Sequence, residues 1–203
     1  VVARVPPFYR DHTIVDFTTP NSAPWRGLLT GGLINNRVYN SGVSASLFTH
    51  AIESLSFSSR LQPKSALVLG LGAGTVATNL SQKGVTVDVV ELDGSVVDIA
   101  REYFAFNDDG ISVTIADART FVRTCPKLYD VVIVDLFRGD GIPSHVVSKE
   151  FFDDIKNCMS VGGSIVMNAF YGVDNLATKK SLFKTLTTTF KNIVVFEAPQ
   201  NRI

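Results

Sequence analysis

From Ser65 onward, short apolar runs alternate with stretches of helical spacing. "SALVLG" (65–70), "VTVDVVEL" (85–92), "ISVTIAD" (111–117), "YDVVIVD" (129–135) and "VGGSIVMNAF" (161–170) each read as a strand. Residues 75–84 read as a helix that Gly84 closes. Ser95, with Asp98 three residues later, gives a capping-box-like start to a second helix, whose stripe is Val96, Ile99, Ala100, Tyr103 and Phe104. A short helix is expected over Arg119–Arg123, and Ser148 is placed to cap the next, with Phe151, Phe152, Ile155, Cys158 and Met159 on one face. Leu176, Phe183, Leu186 and Phe190 mark a last helix, and "NIVVFEA" (192–198) a sixth strand. This alternation predicts an α/β fold with a doubly wound, mostly parallel sheet of Rossmann-like form and right-handed crossovers.

The first 60 residues follow another pattern. Segments 12–17, 26–32 and 33–39 read as short strands, and 43–56 as a helix with Leu47, Ala51 and Leu55 on one face. The expected organisation is a small N-terminal β appendage with a linking helix (1–60), then a nucleoside-binding α/β domain (61–203). After a turn at Pro199–Asn201 only Arg202 and Ile203 remain, so the last strand is expected to be truncated. Together with Val1 in place of Met, this points to a segment of a longer protein.

Composition narrows the function classes. Of 203 residues, 45% are hydrophobic and 19% charged, enough apolar material for a core. The formal net charge of zero leaves no electrostatic footprint for nucleic acid or an anionic membrane. No run reaches the roughly 18 apolar residues of a membrane span, and no membrane contact is expected from this segment. Cys125 and Cys158 are far apart and lack metal-ligand spacing, so a reducing compartment, a cytoplasmic location and no metal are expected.

Four features gather the candidate chemistry. "GLGAGT" places Gly70, Gly72 and Gly74 between a strand and a helix, where glycines admit a close ligand and a helix start favours electron-rich groups. Gly72, Gly74 and Ala77 also satisfy a dinucleotide G-x-G-x-x-A pattern, and a ligand-free tight turn would use the same residues. Glu91, followed by Leu92, ends the second strand, where an acid can accept both hydroxyls of a ribose or simply be solvated. Asp117 ends the third strand; with the N–H of Ala118 it fits the adenine edge in S-adenosylmethionine-type sheets, or it caps the following helix. Asp135 ends the fourth. All four fall on the carboxyl edge of a parallel sheet, where ligands of such folds bind. An NAD-dependent oxidoreductase would explain the glycines and Glu91 but leave Asp117 idle.

Together, "VLGLGAGT", "VVELDGSVVDIAREYF", "VTIADARTFV", "YDVVIVDLF" and "IPSHVVSKEFFDDIKNCMSVGGSIVMN" resemble the spermidine synthase family (polyamine aminopropyltransferases) over residues 65–170. The resemblance implies a class I S-adenosylmethionine methyltransferase fold and a donor that is S-adenosylmethionine or its decarboxylated form. It gives Gly70, Gly72 and Gly74 the donor loop, Glu91 and Leu92 the ribose, Asp117 and Ala118 the adenine. Asp135 matches the first acid of the family's D-x-x-D motif, which contacts the substrate amine, is associated with catalysis and borders the donor. Two departures stand out. Ala73 replaces the Asp of the family's G-G-G-D-G-G loop, which helps hold the donor's amine, and Arg138 replaces the second acid of D-x-x-D. The family's Tyr-Gln-Glu segment is also missing, with Tyr39 and His50 as loose counterparts. An arginine repels a polyamine unless it points away or Asp140 compensates.

These departures set transfer of a methyl group ahead of an aminopropyl group as the expected reaction, with an amine on a small molecule or protein as acceptor. Residues 136–147, with Arg138, Asp140 and His145, are expected to cover the acceptor; His145 itself reads first as a plain loop histidine. The alternatives are a true aminopropyltransferase with a variant acceptor site, and a non-catalytic interaction module that keeps the fold. A homodimer is compatible with either.

Overall fold

The computed structural model describes residues 1–5, 11–20, 22–58, 62–137, 142–169 and 176–196. The N-terminal strands β1 (Ala3–Val5), β2 (His12–Thr19), β3 (Ser22–Thr30) and β4 (Leu33–Tyr39) form an antiparallel sheet in that order. Gly31 and Gly32 turn β3 into β4 at φ 59° and 82°, backbone angles that favour glycine. Helix α1 (Leu47–Ser56) leads on to β5 (Ser65–Leu69), α2 (Thr75–Gln82), β6 (Thr86–Glu91), α3 (Gly94–Phe104), β7 (Ile111–Ile115) and α4 (Ala118–Arg123). Then come β8 (Tyr129–Val134), α5 (Lys149–Asn157), β9 (Met159–Met167) and α6 (Leu176–Thr189).

The second sheet has the order β7-β6-β5-β8-β9, and each pairing is parallel. This is the doubly wound sheet that the alternation predicts. From β5 the chain adds strands to one side, then returns with β8 to the other. The crevice at that reversal, outside the carboxyl ends, lies between the β5 and β8 loops.

Packing explains the apolar run Val131–Val134 of β8. It is flanked by β5 and β9, and all six of its residues are buried. Val131 and Ile133 pack in a cluster with Ile52 of α1, Leu80 of α2 and Val97 of α3. Val132 and Val134 pack on the other face with Val122 of α4, Phe151, Phe152 and Ile155 of α5, and Leu182 of α6. Helix α5 begins where Ser148 accepts the Phe151 N–H at 3.3 Å, as expected. Each of its three buried anchors contributes about 2 kcal/mol of transfer free energy. A third cluster joins the sheets: Ile14, Leu28 and Val38 meet Ala73, Ile99 and Phe104. The N-terminal sheet therefore sits on α3 and on the glycine loop.

Three expectations need correction. Asp93, not Ser95, caps α3: its extended backbone lets the carboxylate accept the Ser95 N–H at 3.0 Å. Residues 192–196 form no strand; they have no ladder partner among the described residues, and Val194, Val195 and Phe196 are exposed. The remainder of that predicted strand, the turn at 199–201 and the residues after it lie outside the described residues. The cysteines, far apart in sequence, meet in space: Cys125 and Cys158 form a disulfide with Cα atoms 5.7 Å apart. Cys125 follows α4 and Cys158 follows α5, and those helices pack together on one sheet face. Sequence spacing is silent about that packing, so the reducing-compartment reading loses its basis. Among the described residues no helix is long and apolar enough to cross a membrane.

The disulfide closes a loop across a sequence separation of 33 residues. Chain entropy predicts that reduction costs about 3–4 kcal/mol, or roughly 10 °C of melting temperature. Thermal denaturation with and without a thiol reductant checks this; a melting temperature indifferent to reductant contradicts it.

Candidate active site

The loop after β5 is crowded by the chain itself. Gly70 has φ 92°, and a Cβ there would lie 2.4 Å from the Asp135 carbonyl oxygen. Gly72 would place a Cβ 2.5 Å from Asn36 Oδ1, and Gly74 one 2.5 Å from the Phe106 ring. The glycines are thus required by close approaches within the protein, whatever ligand the loop receives. The Leu71 N–H donates to Glu91 Oε2 at 2.9 Å, the Ala73 N–H to Asn36 Oδ1 at 3.2 Å, and the Gly74 N–H to the Leu71 carbonyl at 3.0 Å. Ala73 itself is 1% exposed, with its methyl in the seam beneath the N-terminal sheet. An acid at this position would enter an apolar cluster.

Glu91 ends β6 and faces that loop. Its Oε1 accepts the Asp93 N–H at 2.9 Å while Oε2 holds Leu71. Withdrawal from water raises its pKa, and the backbone N–H groups of Asp93, Leu71 and Leu92 work in the opposite direction. A carboxylate offers about four lone-pair sites, so these three backbone contacts leave about one for a hydroxyl donor. Leu92 exposes 46% of its surface beside it.

Asp117 does cap α4. Its Oδ1 accepts from the Thr120 N–H at 2.9 Å and from the Thr120 hydroxyl at 3.1 Å. The second oxygen is not used in the cap; it lies 3.8 Å from His145 Nε2. Ala118 opens the helix with its side chain buried. Arg119 ties the chain down here, donating to the His145 carbonyl at 2.5 Å and to Ser148 Oγ at 3.0 Å. The far end of the loop after β8 is therefore anchored over α4, with His145 facing Asp117. Arg138 and Asp140 lie outside the described residues. His50 is engaged elsewhere, its Nε2 2.8 Å from the Ser44 carbonyl oxygen.

Asp135 follows β8 and is held on both sides. Its N–H donates to the Leu69 carbonyl at 2.9 Å, and its Oδ1 accepts from Asn168 Nδ2 at 2.9 Å. Burial is the main force on its carboxyl group. The Asn168 bond lowers the pKa and the nearby Glu91 charge raises it, and the result is a value of about 6. Sequence reading missed Asn168. Its signal was available: it is a polar residue just past the apolar β9, as Asp135 is past β8, and parallel pairing puts the two side by side.

The edge thus brings together the glycine loop, Glu91 and Asp135, with Asp117 beyond Glu91 at the end of β7. Such a site can accept hydrogen bonds from hydroxyl groups and stabilise positive charge. The donor set is mainly oxygen acceptors, which fits a ribose and a sulfonium. Ala73 supplies no charge for a donor amine.

Residues 46–200 match the model of the spermine/spermidine synthase domain. The polyamine aminopropyltransferase of Thermoplasma volcanium is 33% identical over 140 residues, 66% of this chain and 51% of that protein. That of Saccharolobus islandicus is 28% identical over 193 residues, 90% of this chain and 62% of that protein. The chain thus spans about half to three fifths of the length of these curated relatives. Among solved structures, a probable spermidine synthase from Corynebacterium glutamicum superposes with a TM-score of 0.80 at 21% identity, covering 94% of this chain and 71% of that one. Human methyltransferase-like protein 13 superposes at 0.65 and 23% identity, over 75% of this chain and 77% of that one. These likenesses show the fold. The expectation of methyl transfer ahead of aminopropyl transfer finds no support, since the curated relatives are named aminopropyltransferases. The chain belongs to the spermine/spermidine synthase family.

Proposed function

We propose that this chain carries the site of an aminopropyltransferase that takes decarboxylated S-adenosylmethionine as donor and a small amine as acceptor. The observation that carries the reading is Asp135, a carboxylate with a pKa of about 6 at the sheet's reversal point, close enough to Glu91 to feel its charge. Family membership supports the transferase class.

Bound in this site, the donor supplies a sulfonium whose neighbouring carbon is open to attack by a nitrogen lone pair. Glu91 would hold the ribose, accepting a hydroxyl hydrogen bond beside its backbone contacts. Asp117, through the oxygen not used in its cap, and the Ala118 N–H would meet the adenine; Leu92 and the loop Gly70–Gly74 would line the nucleoside. Asp135 would orient the acceptor amine. As the C–N bond forms and the C–S bond breaks, positive charge passes from sulfur to nitrogen, and an ionised carboxylate beside that nitrogen stabilises the change. The nitrogen then gives up a proton through Asp135 to solvent, and a neutral thioether leaves.

The direct assay offers decarboxylated S-adenosylmethionine with putrescine, cadaverine or spermidine and measures methylthioadenosine. Its release in step with an elongated polyamine is expected. Release of S-adenosylhomocysteine from S-adenosylmethionine, without methylthioadenosine from the decarboxylated donor, overturns the reading and returns methyl transfer.

Asp135 generates two further expectations. Asp135→Asn should lower kcat by about 10²- to 10⁴-fold. Asn168→Ala removes the bond that favours the ionised form, so the acidic limb of the rate profile, near pH 6 in the wild type, should move to higher pH. A limb unmoved in Asn168→Ala would contradict the role given to Asp135.

A third expectation concerns stability. The folded pKa of Asp135 lies above its ordinary 3.8, so folding favours the protonated form. That contribution is present below about pH 4 and is lost as the pH rises through 6. At pH 8 the ionised group therefore costs stability, and Asp135→Asn should be more stable than the wild type by on the order of 3 kcal/mol. At pH 4 the difference should vanish. Denaturant melts at the two pH values check it; equal stability of the two proteins at pH 8 contradicts it.

A further inference from the structure

Two buried polar contacts run from the N-terminal sheet to the loops given to the donor. His12, at the start of β2, is 4% exposed. Its Nδ1 lies 3.1 Å from Thr30 Oγ1, which fixes the ring, and its Nε2 faces Asp93 Oδ2 at 3.6 Å. Neither of those last two atoms makes a hydrogen bond among the described residues, so each has the other as its polar neighbour. Asp93 caps α3 with its other oxygen and donates its own N–H to Glu91 Oε1 at 2.9 Å. It therefore stands between His12 and Glu91.

The second contact comes from β4. Asn36 is 7% exposed, and its Oδ1 accepts the Ala73 N–H at 3.2 Å. It lies so close to Gly72 that no side chain fits there. The two contacts land on different loops, β6–α3 and β5–α2, and the bond from Leu71 to Glu91 joins those loops to each other. Packing alone explains neither residue. The seam around them is apolar, lined by Ile14, Leu28 and Val38, and a polar group buried there costs free energy unless it is paired.

We infer that His12 and Asn36 are positioning residues for the donor: through Asp93 and Ala73 the N-terminal sheet sets the geometry of Glu91 and the glycine loop. The inference rests on the donor reading proposed above. It makes the N-terminal sheet a working part of the site, although neither residue belongs to the sheet edge that carries the chemistry.

Calorimetric titration of the whole chain with methylthioadenosine tests it, with melting temperatures measured alongside. His12→Ala and Asn36→Ala should each weaken binding roughly tenfold, the cost of leaving a buried polar group unpaired. Asn36→Asp keeps the acceptor for the Ala73 N–H and should recover most of the affinity. Arg26→Ala is the control: it removes a third tie between the sheet and α3, from Arg26 to the Tyr103 carbonyl at 3.1 Å, at the end of α3 away from Glu91. It should lower the melting temperature and leave affinity unchanged. Wild-type affinity in His12→Ala and Asn36→Ala overturns the inference alone. So does an equal loss in Arg26→Ala, which would make the effect one of general docking. No binding by the wild-type chain overturns the donor reading and, with it, the role assigned to both residues.

Discussion

No side chain can occupy position 70, because a Cβ there would lie 2.4 Å from the Asp135 carbonyl oxygen. This close approach joins the loop that leaves β5 to the end of β8, at the point where the order of the sheet reverses. Much of the site follows from it. Leu71 is carried to Glu91, and Asp135 is held against the end of β5 through the Leu69 carbonyl. Two carboxylates then share one edge withdrawn from water, and each is pushed toward its protonated form chiefly by that withdrawal.

The arrangement exchanges stability for chemistry. A carboxyl group of raised pKa is an unfavourable thing to keep ionised at neutral pH, and the protein tempers it with the amide of Asn168. At Glu91 the same tempering comes from backbone N–H groups. The two acids are thereby suited to different tasks. Glu91 is locked by its neighbours and fits the holding of a ligand. Asp135, held by the Asn168 amide and tuned near pH 6, fits a role in which charge changes during the reaction.

Much of this was legible in the sequence because it is local. The apolar run 131–134 announced a strand buried on both faces, and the acid after it announced the edge. The glycine loop and Glu91 followed from strand–helix spacing. What stayed hidden depends on contacts between elements. Cys125 and Cys158 meet only because α4 and α5 pack together. His12 and Asn36 reach the loops from another sheet, and no spacing rule connects position 36 with position 73. Asp117 shows how a local pattern can serve two readings at once: one carboxylate oxygen caps α4 and the other remains directed toward His145. The segment 192–196 carries strand-like letters, but β-pairing needs a neighbour, and among the described residues it has none. Ala73 read as a missing acid; in the fold it is also a methyl group required by the seam with the N-terminal sheet.

The central claim is that Glu91 and Asp135 face opposite ends of one bound adenosyl group. A crystal structure of the chain with methylthioadenosine and a diamine tests it most directly. The account predicts a ribose hydroxyl on the Glu91 carboxylate and the thioether sulfur directed toward Asp135, with a diamine nitrogen beside that acid. A nucleoside bound away from Glu91, for instance in the groove lined by Val97, Arg101, Val113 and Ile115, would contradict it.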